Sequence, residues 1–335
     1  MRVALPIPAD LSHTNTALGF IDSLPQFVQS PEVLLDFRQL NFARPYATLL
    51  LAHGLRKFVR DRHALGLTTR VDLRGIRIGN LTAAVSYLGH IGFFEYVGIA
   101  FGNAPGGARG SSTYLPLTVI SSTELAAVAA GRALQSLVTQ RCRHLASMLF
   151  ADEAEQDVVE YCFREIVRNV FEHALATECT LMAQRYGRTQ VEIAIADAGV
   201  GIHATLGPVY GIVDPEGSVR AALEPGITSV TGAQTGSPWD NTGFGLYVVS
   251  RLGIAAGSFA ITSSGICLSQ SEHIESLKRT VMQGTAIKLL VDVENAEYFS
   301  NQLKQIVDEG DRLAARDVRA RRPASLSTRR REQRL

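Results

Sequence analysis

The sequence predicts an α/β protein of two domains. Three observations carry this. Short apolar runs alternate with helical stretches through about the first third of the chain. Its later part reads as a long helix followed by paired strands. At 335 residues the chain is long enough for two cores.

The elements follow in order. Val33–Phe37 is an apolar run containing an acid near its end, the pattern of a buried strand. A helical stretch opens near Pro45, where a missing N–H costs nothing, and Tyr46, Leu49, Leu50, His53 and Phe58 recur at near-helical spacing up to Gly66. Thr69–Leu73 reads as a second strand, Leu81–Val97 as a second helix, and Tyr114–Ile120 as a third strand after glycines at 106–110. Residues 1–120 are therefore expected as an α/β sandwich, with an Ala-rich helical connector at 121–150. The second domain is expected over 151–310. Ala151–Ala176 is its long helix. Cys179–Arg185 and Gln190–Ala196 read as a hairpin around Tyr186–Arg188. Ala204–Asn241 is long and rich in Gly, Pro, Ser and Thr, which suits a lid. Thr242–Leu252 turns helical, Ser258–Thr262 and Thr285–Val293 are strands, and Ala296–Ala315 is a last helix.

Composition narrows the class. The hydrophobic fraction is 46%, the charged fraction 19% and the net charge +1, values of an ordinary globular protein. No apolar run is long enough to span a bilayer and the start lacks a signal-peptide core, so no membrane association and a cytoplasmic location are expected. Four scattered cysteines (Cys142, Cys162, Cys179, Cys267) form neither a disulfide framework nor a zinc ribbon. Residues 312–335 hold nine Arg against Asp317 and Glu332, so the chain's positive charge is concentrated there. With few large apolar residues, 311–335 is expected to be a disordered Arg-rich tail. It could meet nucleic acid, but no aromatics are interleaved for base stacking, so a solvated tail is favoured.

Four segments carry chemistry. In Glu165–His173, Glu165, Asn169 and His173 fall at i, i+4 and i+8 on one helix face, with Ile166, Val167, Val170 and Phe171 supplying an apolar side. Alone, that stripe also fits a solvated helix face. Asp197-Ala-Gly199-Val-Gly201 places an acid and two glycines after a strand, fitting either a ligand turn or a plain one. Asn241-Thr-Gly243-Phe-Gly245 precedes a helix, where free N–H groups can meet phosphate. Gly284-Thr285 enters a strand and says little by itself.

In this order, the four segments resemble the N, G1, G2 and G3 boxes of the GHKL (Bergerat-fold) ATPases, over roughly 152–293. The resemblance implies an α/β sandwich whose mixed sheet carries helices on one face, with an ATP and Mg²⁺ site. Asn169 would ligate Mg²⁺ and Glu165 would act as catalytic base. Asp197 and Thr285 would hold adenine, and Gly199 and Gly201 would shape its pocket. Asn241, Gly243 and Gly245 would bring backbone amides to the phosphates under a lid, and His173 would border the site. Asn241 stands where the family has its first glycine. A Glu at 165 looks more like anti-sigma-factor serine kinases than histidine kinases, and His144 does not match a phosphoacceptor pattern.

Val33–Phe37, the following helix, Thr69–Leu73 and Gly92–Gly98 are similar to a STAS-like domain. There Pro45 falls about where a phosphorylated serine would stand, which implies an interaction module. The expected function is an ATP-dependent regulatory or signalling ATPase. The alternatives are a protein serine/threonine kinase and a nucleotide-independent adaptor. The implied partner is a protein, of STAS or sigma-pathway type, and a homodimer is compatible with the family.

Overall fold

The structure is a computed structural model that describes residues 2–74, 81–123, 134–187, 189–229, 242–292, 296–317 and 319–320. The chain is mixed α/β, with parallel and antiparallel sheets. Strands β1 (Arg2–Pro6), β3 (Glu32–Asp36) and β5 (Thr68–Asp72) form a parallel sheet in the order β1-β3-β5. The short strands β2 (Asp10–Leu11) and β4 (Phe42–Ala43) pair in parallel. Helix α1 (Thr14–Ser23) lies between β2 and β3, and α2 (Pro45–Ala64) between β4 and β5. Arg62 near the end of α2 is fully buried and donates to the carbonyls of Phe27, Val28, Ser30 and Thr68. It thereby ties the loop before β3 to the helix.

The helix expected over Leu81–Val97 divides into α3 (Ala83–His90) and α4 (Phe93–Val97). Gly92 between them has φ of 90°, and a Cβ there would lie 2.9 Å from the carbonyl oxygen of Ala104.

A seven-stranded sheet holds β6 (Tyr114–Ser121), β7 (Glu178–Tyr186), β8 (Gln190–Asp197), β9 (Gly257–Ser263), β10 (Ile266–Ser271), β11 (Glu275–Arg279) and β12 (Thr285–Asp292). Its order is β11-β10-β9-β12-β8-β7-β6, and every neighbouring pair is antiparallel. This corrects the expected mixed sheet. It also moves β6, read as the third strand of the first domain, into the large sheet beside β7. A boundary at 120 would cut that strand from its partner. An apolar run marks a strand but not the strand it pairs with.

The helices of the second half are α5 (Leu134–Leu149), α6 (Glu153–His173), α7 (Ile202–Tyr210), α8 (Pro215–Ala222), α9 (Gly245–Ala256) and α10 (Ala296–Ala314). Part of the expected connector is thus the helix α5, while 124–133 lies outside the described residues. The expected lid contains most of α7 and all of α8, and 230–241 lies outside the described residues. Of the expected tail, Asp311–Ala314 belongs to α10, while 318 and 321–335 lie outside the described residues.

Helices α5, α6, α9 and α10 share a core with one face of the large sheet, where Phe163 and Val167 meet Ile193, Ile195 and Leu289. These helices of the second half share that one face, and α2 of the first half covers the other. Strand β8 alternates Ile193 and Ile195 with Ala194 and Ala196, and successive side chains point to opposite faces. The alanines, with Met182, Ala260 and Ala286, join one core with Tyr46, Leu49 and Leu50 of α2. The first half of α2 is accordingly buried all round. Polar groups fix its seat. Buried Glu192 accepts from the backbone N–H of Tyr46 at 2.9 Å and pairs with Arg44 at 3.3 Å, and the Tyr46 hydroxyl lies 2.8 Å from Thr262 Oγ1. Among the described residues, no helix is long and apolar enough to cross a membrane.

Candidate functional site

Helix α6 begins with acids in its first turn, and Asp152 Oδ1 caps it by accepting from Glu155 N–H at 3.1 Å. Its amphipathic spacing turns Phe163 and Val167 to the sheet. Asn169, Val170 and His173 then reach a cavity of about 100 Å³ between α6, β8, β12, α7 and the start of α9. The Asn169 side chain makes no hydrogen bond within the described structure. The His173 imidazole lies 3.1 Å from Ser229 Oγ through Nδ1. Burial, with Arg168 nearby, pulls its pKa down to about 4, so the ring is neutral at pH 7.

Asp197 ends β8, lines the cavity and is paired in register with Thr285 at the start of β12. Its Oδ1 accepts from Gly199 N–H at 2.7 Å. Burial pushes its pKa up to about 6, opposed by the backbone N–H groups of Gly199 and Thr285. Gly199 itself does not line the cavity. A Cβ on it would sit 2.1 Å from the carbonyl oxygen of Ala174, so the glycine lets the turn lie against the end of α6. Val200 N–H donates to that same carbonyl at 2.9 Å.

Gly201 lines the cavity and precedes α7. The first amides of α7, those of Ile202 and His203, donate to Ser263 Oγ and Ser264 Oγ, each at 3.0 Å. Ser263 Oγ is also 3.0 Å from Thr285 Oγ1. Sequence reading missed these two serines. Their signal is the small hydroxyl run Thr262-Ser-Ser before Gly265 at the end of β9.

Gly243, Gly245 and Leu246 bring the uncapped N-terminus of α9 to the cavity. Gly243 has φ of 76°, and a Cβ on it would meet the Ile227 carbonyl oxygen at 2.4 Å. Asn241 lies outside the described residues.

Glu165 differs from its expected place. It does not line the cavity; it is buried, with Oε1 3.1 Å from Arg164 Nη2 and Oε2 3.2 Å from Arg168 Nη2. Gly245 packs directly on it, since a Cβ at Gly245 would be 2.5 Å from Oε2. Seven expected residues thus share one cavity wall: Asn169, His173, Asp197, Gly201, Gly243, Gly245 and Thr285. The remaining lining is chiefly apolar, including Ile166, Ile195, Ile202, Leu206 and Ile287.

The arrangement is a chiefly apolar slot whose lining includes a carboxylate acceptor and the N-terminus of a helix. Such a slot can hold a flat ring that carries an N–H donor and an anionic substituent. Among the described residues, no group of three or more His, Cys, Asp or Glu side chains could hold a metal ion by itself. No protein-family model matches the chain, and no curated protein matches it.

Proposed function

We propose that this cavity binds ATP with Mg²⁺, and that the chain is a cytoplasmic regulatory protein built on a Bergerat-type ATP-binding fold with a STAS-like N-terminal portion. The observation that carries the reading is that Asp197, Asn169 and the N-terminus of α9 line one cavity. The adenine amino group would donate to Asp197, with Thr285 beside it. The phosphates would run toward the amides of 243–246. Mg²⁺ binds through few protein groups plus phosphate oxygens and water, so one Asn169 oxygen suits it without a carboxylate cluster. When bound, the ion neutralises phosphate charge.

Glu165 sits between two guanidinium groups and off the cavity wall, which weighs against a role as base. The proposed activity is therefore nucleotide binding that regulates a protein partner, ahead of rapid hydrolysis or serine phosphorylation. Equilibrium titration of the full chain with ATP and Mg²⁺ tests it. Asp197→Asn and Asn169→Ala should each weaken binding by about tenfold or more, the equivalent of one good hydrogen bond or ligand. Wild-type protein that does not bind, or variants that bind equally well, would remove the proposal. Using γ-labelled ATP in the same incubation reads any phosphate release or transfer to protein.

A further inference from the structure

A second and larger cavity, about 460 Å³, lies on the other side of the Ala174–Thr177 and Asp197–Gly199 segments. Ala174 and Asp197 wall the slot described above, while their neighbours Leu175 and Ala198 wall this one. Its volume falls in the range of small-molecule sites.

The cavity has a polar floor, apolar walls and a charged rim. At the floor, His53 Nε2 is 2.6 Å from Thr180 Oγ1. The Tyr96 hydroxyl lies 3.1 Å from the same nitrogen, and the Thr180 hydroxyl also reaches the carbonyl of Ala196 at 3.0 Å. Nε2 is thus engaged by two hydroxyls. Burial and the nearby Arg56 lower the His53 pKa to about 3, so the ring is neutral at pH 7. No hydrogen bond engages Nδ1 within the described structure.

The walls are Leu24, Phe58 and Met282, all buried. At the rim, Leu175 is 81% exposed and Val281 45%, so two large apolar side chains face water at the mouth. Leu175 holds φ of 53°, a conformation unusual for a residue with a bulky side chain. Of the three cations on the α2 rim, Arg56 is matched by Glu178 and Lys57 by Asp61. Arg60 has only a 3.9 Å contact to that same Asp61 and is 72% exposed. His53 and Arg60 are seven residues apart on one helix face, which separates them by about 10 Å along the axis.

We propose that this cavity is a binding site for a free medium-chain acid bearing a hydroxyl at the end opposite its carboxylate. The hydroxyl hydrogen-bonds with His53 Nδ1, the chain lies along the apolar walls, and the carboxylate meets Arg60. This inference does not depend on nucleotide binding.

Calorimetric titration of the full chain with 10-hydroxydecanoate, and separately with decanoate, tests it. Saturable one-to-one binding of the hydroxy acid is expected, with decanoate weaker by about tenfold for the lost hydrogen bond. Arg60→Glu and Val281→Glu alter exposed rim residues and should leave thermal melting unchanged. Each should weaken the hydroxy acid by about fivefold or more. No saturable binding, equal affinity for the two acids, or unchanged affinity in both variants would overturn the assignment.

Discussion

Glu192 on β8 accepts a hydrogen bond from the backbone N–H of Tyr46 in the first turn of α2, at 2.9 Å and across 146 residues of chain. The carboxylate also pairs with Arg44, so one buried acid satisfies the start of a helix and a neighbouring cation. Glu192→Ala would leave an amide and a partly buried guanidinium without it. The expected cost is about 3–5 kcal/mol. Chemical denaturation checks this, and the shared core predicts that both halves unfold in one transition. Two separated transitions in the wild type would contradict a common core.

Asp197 sets a pH dependence. Unfolded, its carboxyl titrates near the ordinary 3.8; folded, burial raises it to about 6. Between those values the folded state keeps a proton that the unfolded state has lost. Stability without nucleotide therefore falls as pH rises from about 4 to about 6 and receives no further penalty from this group above that, with an upper bound of about 3 kcal/mol. Asp197→Asn should abolish this slope while weakening ATP binding. Melting curves of both proteins from pH 4 to pH 7.5 read the difference, and parallel profiles would refute it.

Glu165→Gln separates a structural from a chemical role. The change keeps shape but removes the negative charge between Arg164 and Arg168, so a stability loss of about 2–4 kcal/mol is expected. Nucleotide affinity should stay within about threefold. A large loss of affinity in a protein that melts normally would return Glu165 to the cavity.

Gly199→Ala tests the close approach behind the slot. The added methyl would lie 2.1 Å from the Ala174 carbonyl oxygen, against backbone that cannot swing aside. It should cost about 1–3 kcal/mol as overpacking and weaken nucleotide binding by displacing the 197–201 turn. Gly187→Ala has no neighbour within 4 Å but a left-handed φ of 61°, so it should lower stability and spare binding.

Much of the site was legible because its residues sit at fixed spacings on single elements. Asn169 and His173 are four apart on α6, and Asp197 closes a strand whose apolar run is plain in the sequence. What escaped was pairwise. Nothing within Tyr114–Ser121 says that it pairs with β7. Strand β11 reads Glu-Ser-Leu-Lys-Arg, an exposed edge with almost no burial signal. The role of Glu165 turned on Arg164 and Arg168, neighbours that the motif reading passed over although i+3 spacing puts Arg168 within reach. Ser263 and Ser264 cap a helix about sixty residues earlier, a relation that only the folded sheet creates.

The seat of α2 on the back of the large sheet has a consequence for synthesis. Tyr46 and the leucines after it are made first, while Ala286 on β12, part of their covering, emerges more than two hundred residues later. At ribosomal speeds of about 5–20 residues per second, that face of the helix waits roughly 10–50 s for its cover. A nascent chain paused in this interval presents an apolar helix to solvent, and holding chaperones should be found on it then and absent once β12 has emerged.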